Sequence, residues 1–358
     1  MISVDDFVSL GHSRITVDVR TSEEYKTGHI PGALNIPLLN EEERAEIGIL
    51  YKKTGREKAL DRGLEIIGPK LYSIYKAIVT ASDSNQFELL RHSELLRHCE
   101  QSEAIPLIIY CWRGGLRSRF VTSMLNFMDL RCNQLEGGYK SYRRWVLKQF
   151  ESYKPEELLV IDGFTGSGKT KLLIELKAND YPVIDLEALA SHKGSVFGDI
   201  SSPPQPTQQQ FENSLAEELL NIGRVRPIIL EGESRRIGFL QIPKPFFETM
   251  DKASRLMIDE TLEKRVENIY EEYIKSTPQD ILADRVLKLE KHLGRERCKE
   301  LLAELHSGDV KVFVKRILNE HYDKVYMKSY KRRQDAGQLV YSSRNDREEI
   351  SNWLRESC

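Results

Sequence analysis

The sequence predicts two α/β domains in tandem with a helical C-terminal region, and three observations carry that expectation. Short apolar runs that read as buried strands alternate with helical patterns through both halves of the chain. The run 106–110 opens into a loop rich in glycine and arginine, Cys111-Trp112-Arg113-Gly114-Gly115-Leu116-Arg117-Ser118, which leads into a helix. A second run, 156–162, enters Gly163-Phe164-Thr165-Gly166-Ser167-Gly168-Lys169-Thr170, again with a helix behind it. The boundaries read as 1–148, 149–276 and 277–358.

In the first half, 15–20 reads as a short buried strand and 21–25 as a capped helix start. A turn-rich segment at 28–33 leads to a second extended run at 34–38. Helices are expected over about 41–66 and 70–101, then the strand 106–110 and a helix over 118–130. In the second half the strand 156–162 is followed by a helix at 171–177 and strands at 181–186, 227–233 and 255–258. The proline- and glutamine-rich segment 203–210 reads as an ordered turn entering a helix, with a mobile lid as the alternative. Helices fill 260–275 and 280–330, and the residues after Gly337 carry no clear pattern.

Composition limits the function classes. At 40% hydrophobic, 30% charged and a net charge of −2, the 358-residue chain reads as globular and does not advertise a polyanion partner through its overall field. No apolar run approaches the ~20 residues of a membrane span, and the first residues carry no basic or apolar leader pattern. The five cysteines are scattered without a C-x-x-C pair, so a zinc site or disulfide framework is not expected. A reducing, cytoplasmic setting is the expectation.

The chemistry concentrates in the two loops. A cysteine between a buried strand and a helix N-terminus meets backbone N–H groups that favour an anion. Gly114 and Gly115 let those groups converge, and Arg113, Arg117 or Arg119 adds a forked cation. Such surroundings favour a nucleophilic thiolate over an inert buried thiol. The C-x5-R-S spacing from Cys111 to Ser118 also suits a cysteine phosphatase, so the loop by itself leaves chalcogen transfer and phosphate-ester hydrolysis open.

The second loop fits G-x-x-x-x-G-K-[ST] between a strand and a helix. Gly163, Thr165, Gly166, Ser167 and Gly168 present backbone N–H groups to phosphates, Lys169 reaches the terminal phosphate, and Thr170 can meet magnesium. This specifies a di- or triphosphate. Asp185, Glu231 and Glu233 stand at strand ends as candidate magnesium or water ligands, the alternative being solvated acids; which metal, if any, is not legible. Two basic clusters stand out: Lys140, Arg143, Arg144, Trp145 and Lys148, and a basic-aromatic stretch at 322–333.

Asp18-Val19-Arg20, Glu24-Tyr25, Gly28-His29-Ile30-Pro31-Gly32-Ala33, Asn35-Ile36-Pro37, Cys111 and Leu135-Glu136-Gly137-Gly138-Tyr139 together resemble a rhodanese domain. Its fusion to a P-loop half resembles the tRNA 2-selenouridine synthases. The likeness extends to Leu38-Leu39-Asn40-Glu41-Glu42-Glu43-Arg44, Asp185-Leu186-Glu187, Gln205-Pro206-Thr207-Gln208 and Glu231-Gly232-Glu233-Ser234-Arg235-Arg236-Ile237-Gly238. It covers about residues 10–275.

The resemblance implies a rhodanese-like domain, a P-loop NTPase-like domain and C-terminal helices. It implies tRNA as partner, with 2-thiouridine at the wobble position, and selenophosphate and geranyl diphosphate as co-substrates. The sulfur would first be geranylated and the S-geranyl group then replaced by selenium. Cys111 would be catalytic, its loop from Trp112 to Ser118 would meet selenophosphate, and the P-loop would hold the diphosphate. Lys140, Arg143, Arg144, Arg235 and Arg236 are the candidate tRNA contacts, and a monomer or weak oligomer is expected. The rivals are a rhodanese-fold cysteine phosphatase and a P-loop RNA kinase with an inert rhodanese half.

Overall fold

A computed structural model of the chain describes residues 1–83, 106–192, 203–223, 227–275, 277–308, 310–335 and 339–343. They fall into two units, Met1–Gln149 with Glu212–Glu217, and Phe150–Phe211 with the chain from Glu218 on.

In the first unit, β1 (Ile15–Asp18), β2 (Leu34–Asn35), β3 (Leu107–Tyr110) and β4 (Cys132–Gln134) form a sheet of order β2-β1-β3-β4 in which every pair is parallel. All residues of β1 and β3 are buried, as befits strands of a parallel sheet covered on both faces. Val17, Ile109, Val121 and Leu125 are fully buried in the core around them. The first long helix expected from sequence is two helices, Glu41–Thr54 and Arg56–Ile67. Gly55 breaks it, at φ +89°. The next helix is Leu71–Asp83, and the remainder of the expected helix to 101 lies outside the described residues.

In the second unit, β5 (Leu158–Gly163), β6 (Val183–Ile184), β7 (Ile228–Glu231), β10 (Ser254–Ile258) and β11 (Leu339–Ser343) form an all-parallel sheet of order β11-β10-β5-β7-β6. A short antiparallel ribbon, β8 (Arg236–Ile237) and β9 (Leu240–Gln241), follows β7. The central strand β5 carries the phosphate loop at its C-terminal end, between β7 and β10, where open α/β sheets place their ligands. The segment leading to the helix Gln208–Ile222 is an ordered turn. Gln205 Nε2 donates to Ala190 O and Ile237 O, its Oε1 accepts from Phe239 N, and Gln208 pairs with both backbone groups of Gln241.

Helices over Gln279–Lys288, Arg295–Ser307 and Val310–Ile317 enclose a separate apolar cluster around Val286, Leu301, Leu305 and Phe313. The basic-aromatic stretch lies largely on the helix Asp323–Asp335, and two of its residues, Tyr326 and Arg333, point their polar tips inward. Tyr326 Oη donates to Asp162 Oδ1 at 2.6 Å and Arg333 Nη1 to Asp162 Oδ2 at 2.7 Å. Arg255 Nη1 also reaches Asp162 Oδ2, at 2.9 Å. Asp162 is the buried residue of β5 immediately before the phosphate loop. Arg332 is paired with Asp251, while Lys324 and Lys331 remain exposed. Among the described residues no helix is long and apolar enough to cross a membrane.

Candidate active site: a cysteine loop and a phosphate loop

Cys111 leaves the fully buried β3 and is itself only 3% exposed. Its loop is locked against the Gly137-Gly138 turn by backbone contacts. Tyr139 N donates to Cys111 O and Lys140 N to Trp112 O, each at 2.9 Å. A Cβ on Gly138 would lie 2.2 Å from Cys111 O, and one on Gly114, at φ +61°, would lie 2.9 Å from Leu135 O. The two glycine turns therefore interlock at a distance no side chain permits. Beneath them, Arg20 is bound to Asp18 (Nη2 to Oδ2 2.6 Å) and to Gly28 O (2.8 Å), and its guanidinium lies 4.0 Å from the Tyr139 ring centre. This contact ties the Asp18-Val19-Arg20 and Gly137-Gly138-Tyr139 stretches into one support.

The loop residues divide by exposure. Trp112 is 38% exposed beside the buried thiol, and Arg113 and Leu116 are also exposed. The helix begins at Leu116, two residues earlier than its sequence suggests, with Gly115 at its N-cap position. Arg117 does not face an open anion site. Its Nη1 and Nη2 bind the two oxygens of Glu24 at 2.6 and 3.1 Å, and Arg44 approaches the same carboxylate at 3.3 Å. Burial pushes the Glu24 carboxyl up, but the hydrogen bonds and charge of Arg117 outweigh it and the net direction is down. Gln134 escaped sequence reasoning: its amide nitrogen donates to Gly114 O at 2.7 Å and so satisfies a loop carbonyl.

In the second unit the phosphate loop runs from Gly163 to Gly168, which adopts the left-handed conformation (φ +89°) as the helix Lys169–Ala178 starts. Lys169 Nζ lies 2.9 Å from Gly163 O, across the mouth of the loop. Arg265 Nε and Asn268 Nδ2 hold the carbonyls of Thr165 and Gly166, both at 2.9 Å, and Ser167 N donates to Phe164 O at 3.0 Å, so the loop is braced at three of its backbone groups. Arg265 is in turn fixed by Asp323, and Phe164 packs 4.6 Å from the Tyr326 ring.

Glu231 and Glu233 meet beside Lys169 with a third carboxylate, Glu187, that sequence reasoning did not single out as a site residue. One oxygen from each lies within 4.8 Å of the others. Asp185 instead caps the helix Leu186–Ala190, accepting from Ala188 N at 2.8 Å. Glu231 is hydrogen-bonded by Thr170, yet its Oε2 is buried without a hydrogen-bond partner among the described residues. Oxygen donors with an orphaned buried lone pair suit a hard divalent cation. Burial first, and mutual repulsion for Glu187 and Glu231, hold all three carboxyls well above the ordinary range, with Lys169 pulling the other way.

A raised folded-state value means that the native state binds the extra protons, so stability falls as pH rises through the cluster's titration. Without divalent ions, the melting temperature should decrease from about pH 5 to about pH 8, and Glu231→Gln should flatten that slope. Magnesium should raise the melting temperature more at pH 8 than at pH 6, because ligands must shed protons to bind it. Equal magnesium effects at both pH values would remove the cation assignment.

The basic candidates separate as well. Lys140 and Arg144 are exposed on the helix Gly138–Gln149. Arg143 is half-buried, with Nη1 bound to Asn213 Oδ1 at 2.6 Å and Nη2 to Glu212, all within the first unit. Arg235 is exposed just before the ribbon, and Arg236, in β8, donates from Nε to Gly238 O at 2.8 Å.

With both loops described, the likeness to known proteins can be placed on them. Residues 5–144 match the rhodanese-like domain family, and residues 156–358 match the family described as the tRNA 2-selenouridine synthase AAA domain. A protein of Bdellovibrio bacteriovorus named tRNA 2-selenouridine synthase is 34% identical over 88% of this chain and 89% of its own length. A protein of the same name from Nitrosomonas eutropha is 33% identical over 89% of each, and one from Nitrosomonas europaea is 32% identical over 93% of each. A rhodanese-like unit bearing Cys111 and a P-loop unit bearing Lys169, matched together along most of their length, place the chain in the tRNA 2-selenouridine synthase family.

Proposed function

We propose that the chain converts 2-thiouridine at the wobble position of tRNA to 2-selenouridine in two steps. In the first, the thiocarbonyl sulfur attacks C1 of geranyl diphosphate, the C–O bond breaks, and pyrophosphate leaves with the electron pair while the N3 proton passes to solvent. In the second, selenium from selenophosphate attacks C2, the C–S bond breaks and geranylthiolate leaves; water takes the phosphoryl group. The observation that carries this reading is a cationic diphosphate cradle in the same chain as a buried thiol on a backbone-locked loop.

Each part has a physical role. The N–H groups of the phosphate loop and Lys169 neutralise charge that grows on pyrophosphate as the C–O bond lengthens. Thr170, Glu187, Glu231 and Glu233 would hold magnesium, which when bound supplies further charge neutralisation there. Cys111 meets selenophosphate or carries selenium. A phosphatase reading needs the fork of Arg117 for the phosphoryl oxygens, and that fork is spent on Glu24. Among the described residues of the second unit nothing favours a kinase over a diphosphate-binding transferase.

Mass spectrometry of wobble nucleosides from cells lacking this chain tests the reading. Selenouridine should vanish and thiouridine accumulate; persistent selenouridine overturns it. For tRNA binding, Lys140 and Arg144 are the exposed basic candidates on the helix Gly138–Gln149, and Lys140 N donates to Trp112 O of the cysteine loop. Neutralising both should weaken binding and reduce its salt slope by roughly 0.7–0.9 log units per lost phosphate contact. Arg143→Ala should act on stability instead, because it removes the half-buried ion pair with Glu212 and the hydrogen bond to Asn213. An unchanged salt slope in the double variant would make these two residues a solvated helix face.

A further inference from the structure

Cys111 Sγ lies 3.1 Å from Ser118 Oγ, and Ser118 is fully buried. Distance alone does not say which atom donates, but the neighbouring amide does. Gln134 Nε2 lies 2.7 Å from Gly114 O, 2.8 Å from Ser118 Oγ and 3.3 Å from Gly115 O. Backbone carbonyls only accept, so the nitrogen of the Gln134 amide, not its oxygen, must face the loop. Its two hydrogens serve the two nearer atoms, Gly114 O and Ser118 Oγ. Ser118 Oγ is therefore an acceptor toward Gln134 and keeps one hydrogen of its own. That hydrogen has two destinations: Cys111 Sγ, or Gly115 O at 3.4 Å, beyond the ordinary range for a hydroxyl.

We propose that Gln134 sets the direction of the Ser118 hydroxyl so that it donates to the sulfur of Cys111, making Ser118 and Gln134 positioning residues for the thiolate. An ionised sulfur only accepts and gains this donor in full. A neutral thiol is only a weak acceptor, so it gains less from the same donor than the ionised sulfur does. The relay favours the charged form from inside the fold, independently of Arg117, which is committed to Glu24. It also gives a reason for a polar side chain buried at position 134, at the end of strand β4.

The test follows the pH dependence of the thiolate's ultraviolet absorbance in the whole protein, taken as the difference from Cys111→Ser. It needs no substrate, so it reads the hydrogen bond separately from the proposed reaction. Ser118→Ala should move the profile to higher pH by about one unit, the equivalent of one hydrogen bond to a charged acceptor. Ser118→Thr, which keeps a hydroxyl, should restore it. Gln134→Met should also move it upward, and should add nothing in the Ser118→Ala background, because Gln134 acts only through Ser118.

An unmoved profile in Ser118→Ala overturns the proposal, as does a Gln134→Met shift of the same size with and without Ser118. If Ser118→Ala does not fold, the Gln134→Met shift alone decides. A shifted profile with undiminished selenium incorporation keeps the hydrogen bond and tells against Cys111 as the reacting group.

Discussion

Cys111→Ser should abolish selenium incorporation into tRNA while S-geranylation continues. The substitution keeps nearly the same shape, and the serine oxygen can still meet Ser118, so the interlocked glycine turns should hold. What is lost is a sulfur that can form chalcogen adducts; a hydroxyl cannot. In the proposed scheme geranylation requires only the thiouridine sulfur and a prenyl diphosphate held at the other loop. The S-geranyl nucleoside should therefore accumulate, which mass spectrometry of digested tRNA reads directly. Wild-type rates of selenouridine formation in this variant would remove the thiolate from the mechanism.

Lys169→Ala should strike the other half-reaction. Lys169 is the cation at the mouth of the phosphate loop, 2.9 Å from Gly163 O and close enough to the carboxylate cluster to lower its proton affinity. Removing one preorganised contact to developing charge costs ~3–4 kcal/mol, or about a hundred- to a thousandfold in rate. Single-turnover geranylation with saturating geranyl diphosphate should fall by that factor. Selenation of tRNA already carrying the S-geranyl group should be spared. A variant that geranylates normally, or a wild type that strictly requires ATP hydrolysis, would count against the assignment.

The two loops were legible because each joins an apolar strand to a helix through residues that few other structures require. The partners of those loops were not. Arg117 reads as an anion-binding fork until Glu24, 93 positions away, is seen to occupy it. Gln134 sits in a three-residue strand with no motif, and its role exists only because β4 lies beside β3. Glu187 was within sight: it stands two residues after Asp185, in the first turn of the helix that Asp185 caps. The strand Leu339–Ser343 is too short and too far from its partner in sequence to announce a place in the sheet.

The basic-aromatic stretch shows how composition can mislead where periodicity does not. Tyr326, Tyr330 and Arg333 fall at i, i+4 and i+7, one face of a helix. That face is the one turned toward Asp162 and Phe164. The spacing of these three residues marks the inward face, while Lys324 and Lys331 stay on the exposed side.

The attachment of that helix bears on the order in which the protein matures on the ribosome. Asp162 is synthesised early in the second unit, yet two of its three side-chain partners, Tyr326 and Arg333, emerge more than 160 residues later. Until then a buried carboxylate beneath the phosphate loop has only Arg255, and β10 is an open sheet edge awaiting β11. A nascent or prematurely terminated chain should therefore carry a folded cysteine loop but no competent phosphate loop. On the proposed function, the diphosphate-dependent step would wait until Asp323–Asp335 and Leu339–Ser343 were in place.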